Sequence, residues 1–150
     1  MSGNPDGNAT IGTLRAVTTM PTLDPRSPVA ESVLRDALAS ETRLLNDLIT
    51  IMRQQRDAAS RDDLPAMDDS VFATQRVLHT LGEARRRRHV IYRTLGAPED
   101  DGVPAIATAL GSALTPELTQ ALDMLMTTAS VLAREVAVNR TALRQALAAG

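Results

Sequence analysis

The side chains best suited to acid–base or metal chemistry in this chain are two histidines, His79 and His89. On one continuous helix their ten-residue separation is about 15 Å, too far for both to bind one metal ion. Glu83 follows His79 by four residues, the spacing of an ordinary surface pair on a helix. There is no cysteine, which excludes disulfide frameworks and thiolate-ligated zinc. A phosphate-binding loop, a dinucleotide fingerprint, a nucleophile elbow and a zinc-protease motif are all lacking. The residues therefore point to no catalysis, no cofactor and no metal. The other concentration of charge is Arg85-Arg86-Arg87-Arg88. Consecutive helical residues point in directions about 100° apart, so the run by itself makes no single stripe. With one Phe, one Tyr, no Trp and a net charge of −2, neither stacking partners nor an overall field favours nucleic acid. Three of the four arginines are expected in solvent, and Arg88 is expected to reach along an apolar seam to an acid such as Glu41.

The elements that carry these residues read as helices. Apolar residues make up 43 % of the 150, and they are mainly Leu, Ala, Val, Ile and Met, which pack between helices. Residues 1–26 are rich in Gly, Asn, Thr and Pro without periodicity and read as a disordered tail, with no signal peptide. Ser27-Pro28 is a cap followed by proline at the first helical position. From there to Ser60, Val33, Leu34, Leu38, Leu44, Leu45, Leu48, Ile49, Ile51 and Met52 recur at steps of three and four, one wide helical face. Asp62-Asp63 breaks the pattern and caps a second helix, with Pro65 in its first turn. Its face is Val77, Leu81, Ala84, Ile91 and Leu95, and Leu95-Gly96-Ala97-Pro98 stops it. A polar loop and a short helix ending at Gly111 lead to Thr115-Pro116-Glu117, a cap, a proline and an acid that suits the helix dipole.

The last helix runs from Pro116 to about Ala148. Leu118, Leu122, Leu125, Ala129, Leu132, Val136, Asn139, Leu143 and Ala146 alternate steps of four and three, a coiled-coil repeat with one polar member. The Met-rich stretch Leu122 to Met126 suits a surface that adapts to a partner. The fold class is therefore all-α: an elongated antiparallel bundle of three long helices, coiled-coil-like, over residues 27–150. No stretch approaches the roughly 20 apolar residues that cross a bilayer, so the expected address is the cytoplasm without membrane insertion. The seam serves either as core or as a grip on another helix, and a coiled-coil adaptor dimerising through it is one reading. His79-Thr80-Leu81-Gly82 gives another, since it is similar to the H-x-L-K-G signature of histidine phosphotransfer domains. Here Gly82 stands where that signature has Lys, and Glu83 sets a negative charge beside the would-be phosphohistidine.

The order of features resembles the FlgN-type flagellar export chaperones over about residues 30–148. A long helix with Leu44-Leu45 and Leu48 ends in Arg53 and Arg56, and Asp62-Asp63 turns into the second helix. That helix ends in Arg88, a few apolar residues and Leu95-Gly96, and the last helix closes on Asn139-Arg140 and Leu143. The family's N-R-x-L-L ending is interrupted by Arg144. The resemblance implies a cytosolic type III secretion chaperone that binds the helical ends of hook-associated proteins and keeps them unaggregated before export, with export apparatus components as further partners. It implies client contacts at Leu125, Leu132, Val136, Asn139, Arg140 and Leu143, with Asn139 setting register, and no need for ATP. It leaves monomer and dimer both open.

Overall fold

The computed structural model describes residues 24–97 and 102–150. The expected disordered tail, residues 1–26, lies outside the described residues except for 24–26, and the polar loop, residues 99–102, lies outside them except for Gly102. Four α-helices follow in order: α1 (Pro28–Ser60), α2 (Leu64–Thr94), α3 (Gly102–Leu110) and α4 (Pro116–Ala149), with a single 3-10 turn, Gly111–Ala113, before α4. Among the described residues there is no strand, and the all-α bundle read from the sequence is the fold.

Each boundary has a local cause. The Ser27 hydroxyl accepts from the Ala30 N–H at 3.0 Å, the Asp63 carboxylate from Ala66 at 3.1 Å, and the Thr115 hydroxyl from Leu118 at 3.2 Å. Each cap satisfies one of the first amides that a helix leaves without a partner. Between α1 and α2 the chain reverses through Asp62, at φ +54°, a left-handed position that Asp tolerates better than most residues. α2 ends in a Schellman turn: Gly96 sits at φ +83°, its N–H reaches the Arg93 carbonyl, and Ala97 N–H reaches the Tyr92 carbonyl at 2.9 Å.

Successive long helices run antiparallel, so α4 lies parallel to α1. Pairs between α1 and α4 keep a sequence separation of 79 to 87 from one end to the other, as a parallel pair in register requires. α1 is the central helix. It packs on α2 along one side and on α4 along another, while α2 and α4 share no extended interface among the described residues. The bundle is thus an open three-helix arrangement with one unclosed side.

The core is unevenly placed along its length. Leu34, Leu38, Leu45 and Leu48 of α1 meet Leu81, Ile91, Tyr92 and Leu95 at the end of α2, and Leu118, Leu122 and Leu125 at the start of α4. α3 closes this proximal end, with Ile106 fully buried and Leu110 nearly so. Toward the α1–α2 turn the supply of buried side chains falls off. α2 buries only Ser70 in its first half, and α4 buries only Asn139 beyond Leu125.

Candidate functional site: an open cleft with a polar lock

The heptad seam of α4 has two fates. Its first three members, Leu118, Leu122 and Leu125, are buried in the proximal core. Beyond them Ala129 is exposed, Leu132 and Val136 are half-buried, and Leu143 and Ala146 are exposed. Of the residues expected to meet a partner, Leu125 and Asn139 therefore face α1, Leu132 and Val136 lie at the edge of that contact, and Arg140 and Leu143 are open to solvent.

What holds this second half of α4 is polar. Glu135 accepts from Arg53 Nε at 3.1 Å and from Arg56 Nη1 at 2.8 Å. The same Arg56 nitrogen donates to Asn139 Oδ1 at 3.0 Å. Asn139 Nδ2 donates to the Met52 carbonyl at 2.9 Å and to Gln55 Oε1 at 3.3 Å. One amide thus reads a carbonyl, a carboxamide and a guanidinium of α1, so any slip in register would break several bonds together. That is the register-setting part a lone polar residue plays in an apolar seam. The Arg56 and Arg53 guanidinium groups hold the Glu135 carboxyl below the ordinary carboxylate range.

The second polar centre lies between α1 and α2. Arg88 Nε donates to Glu41 Oε2 at 2.5 Å, and Arg88 Nη2 donates to Oε1 at 3.3 Å, a bidentate pair on a carboxylate whose side chain is 3 % exposed. Arg85 approaches the same carboxylate at 3.6 Å. The expected Glu41 partner of Arg88 is thus the observed one. The guanidinium also lies 5.2 Å from the centroid of the Tyr92 ring, a cation–π contact, and burial pushes the Tyr92 phenol up in pKa. His79 stands on the solvent side of α2, 3.7 Å from Glu83, with a side chain 77 % exposed. No group of three or more potential metal ligands forms among the described residues.

The unclosed side has apolar walls. On the distal half of α1, Met52, Arg53, Gln55 and Arg56 meet α4, whereas Gln54, Asp57 and Arg61 line a groove against α2 on the other side. At about 100° per residue, this phase turns Leu64, Val71 and Leu78 of α2 toward the space beside α4. It turns Leu132, Val136 and Leu143 of α4 toward the same space. Leu64, Val71 and Leu78 are 68 %, 44 % and 51 % exposed, far more than a helix-packed leucine or valine. The sequence reading passed over this α2 row, although its seven-residue spacing was there to be seen. It also missed Glu135, whose role depends on two arginines roughly eighty residues away.

A family profile described as FlgN protein matches residues 30–149. The chain belongs to the FlgN family. No curated protein and no solved structure matches it. The match covers α1 from Ala30 and the other three helices of this FlgN chain, so the residues of the cleft and of both polar centres lie within it. FlgN proteins are flagellar export chaperones, and membership gives the chain that kind of role in flagellum biogenesis, in a family that is not enzymatic. Among the described residues no helix is long and apolar enough to cross a membrane.

Proposed function

We propose that this FlgN protein binds the helical ends of hook-associated flagellar proteins in the distal cleft between α2 and α4, on the cytoplasmic side, and keeps them from aggregating until export. The observation that carries the reading is the pair of apolar rows facing a space in which the two helices do not meet. An amphipathic client helix would lay its i, i+3, i+4 and i+7 side chains between those rows and complete the bundle. Leu132, Val136 and Leu143 form one wall, and Arg140 stands at its rim, where it can pair with an acidic client residue. Leu125 and Asn139 are engaged with α1 in the free protein, so they reach a client only if α4 lifts. The polar lock suits such movement: its hydrogen bonds are exchanged for bonds to water when α4 lifts, at small net cost, whereas an apolar interface has no such exchange. The binding needs no cofactor, metal or nucleotide. The Glu83 carboxylate beside His79 opposes phosphotransfer there.

The test is co-purification with the terminal helices of hook-associated proteins. Leu132→Asp and Val136→Asp are expected each to weaken capture at least about tenfold, equivalent to about 1.4 kcal/mol, with helical content retained. Undiminished capture by both variants would remove the proposed grip. Concentration-dependent dimers that disappear in the same variants, with no client bound, would favour the coiled-coil adaptor instead.

A further inference from the structure

The polar residues flanking the distal cleft differ in sign between its walls. On α2, Asp68 follows Leu64 by four residues and precedes Val71 by three. At about 100° per residue it stands beside that apolar row, on the solvent side. Met67 and Thr74, beside the row on the α1 side, are half-buried, whereas Asp68 is exposed. On α4, Arg140 holds the same relation to Val136 and Leu143, and Arg144 follows it by four residues. Both arginines are exposed, while Asn139, on the α1 side of that wall, is buried. Arg144 is also the residue that interrupts the N-R-x-L-L ending.

The walls match in level along the bundle. Leu143 and Ala146 of α4 share a small cavity with Gln55 and Ala59, in the last two turns of α1. On α2, Ala66 and Ser70, which bracket Asp68, line a groove with Asp57 and Ala58 of the same turns. Asp68 and the two arginines therefore face one another across the open cleft. None of the three has an ion pair or a side-chain hydrogen bond among the described residues.

An apolar cleft by itself accepts a helix in either direction, N to C or C to N, with the same apolar face down. Reversal exchanges the helix's two edges. Rims of opposite charge tell those edges apart. We infer that Asp68, Arg140 and Arg144 fix the direction in which a partner helix lies in the cleft, and that this helix carries acidic residues along one edge of its apolar face and basic residues along the other. The inference rests on the client reading of the cleft. In the favoured direction the acidic edge lies along α4, where guanidinium groups pair well with carboxylates, and the basic edge lies along Asp68. In the reversed direction like charges meet on both rims, and that repulsion supplies the discrimination. The rims stay in water, so they contribute more to the choice of direction than to affinity.

The experiment uses the full chain and three helix-forming peptides of one composition, with the same apolar face. The first has Glu along one edge and Lys along the other, the second has these edges exchanged, and the third mixes both charges on each edge. In anisotropy at roughly 50 mM salt, both split peptides are expected to bind at least about fivefold tighter than the mixed one. The advantage is expected to fall within about twofold at roughly 500 mM salt, as screening sets in, and in D68N/R140Q/R144Q. Direction is read by energy transfer. The chain has no cysteine, so A149C places a single donor dye at the end of α4. With an acceptor on the peptide N-terminus, one split peptide is expected to give high transfer and the other low, and D68R/R140E/R144E to exchange them. Equal binding of split and mixed peptides at low salt, equal transfer from the two split peptides, or transfer unmoved by the charge exchange would each overturn the inference. Leu132→Asp is expected to weaken all three peptides. Binding that survives it would remove the cleft reading and this inference together, whereas loss in Leu132→Asp with indifference to the edges removes this inference alone.

Discussion

The two ends of this bundle are held by different forces. At the proximal end four helices bury leucines, isoleucines and Tyr92 in one continuous cluster, and α3 closes it. At the distal end α4 rests on α1 through Glu135, Asn139 and two arginines, while leucines and valines on α2 and α4 remain in solvent. Both ends are helical, and the same heptad seam of α4 runs through both. A coiled-coil repeat therefore specifies a surface, and what the surface meets depends on whether a neighbour is supplied. The proximal part of the seam has three neighbours and becomes core. The distal part has one and remains an edge.

The largest expected effect tests this contrast by mutation. Leu38 is fully buried in the proximal cluster, and Leu38→Ala is expected to cost about 4 kcal/mol in denaturant unfolding. Leu132→Ala, at the half-buried edge, is expected to cost about 1 kcal/mol. Equal costs would mean that the distal end is as tightly packed as the proximal one.

Most of the contrast was absent from the sequence, although the elements themselves were plain. Caps at Ser27, Asp63 and Thr115 and the stop at Gly96 marked the helices because they are local chemistry, settled within a few residues. The Glu41–Arg88 pair was legible because a charge interrupting an apolar face needs an opposite charge across from it. The fate of Leu143 and Ala129 was not, since a heptad seam looks the same whether one helix or two lie against it. The open side could not be read either: it depends on α2 and α4 standing apart around α1, a tertiary fact with no residue of its own. Of the expected client residues, the sequence could place Asn139 in the seam but could not say that α1 would take up its amide.

A smaller effect isolates the lock. Asn139→Ala removes the bonds to Met52, Gln55 and Arg56 and leaves the Met52 carbonyl without its side-chain donor. The expected loss is about 1–2 kcal/mol, confined to the second half of α4. Amide exchange over 130–149 is expected to quicken while that over 118–125 is unchanged. A loss spread evenly along α4 would dissolve the distinction between its halves.

The smallest effect is a pH dependence with a definite sign. Glu135 has its folded pKa lowered by Arg56 and Arg53, so its contribution is fully present above the unfolded carboxylate value of about 4.3. It is lost as pH falls below that value and through the lower folded one. Acidification across this range is expected to release the distal part of α4 in amide exchange or proteolysis, and Glu135→Gln to remove that part of the acid response. Release of the proximal segment first would contradict the assignment.

The central claim is that the distal cleft is the part of this FlgN protein left open for a partner helix. Amide hydrogen exchange, measured on the free chain and again with a terminal helix of a hook-associated protein, tests it most directly. Exchange is expected to be fast over 130–147 of α4 and 64–78 of α2 in the free chain and slowed in both segments by the peptide, with 118–125 and α3 unaffected. Protection that appears only at the proximal end, or free-chain exchange already uniform along α4, would contradict it.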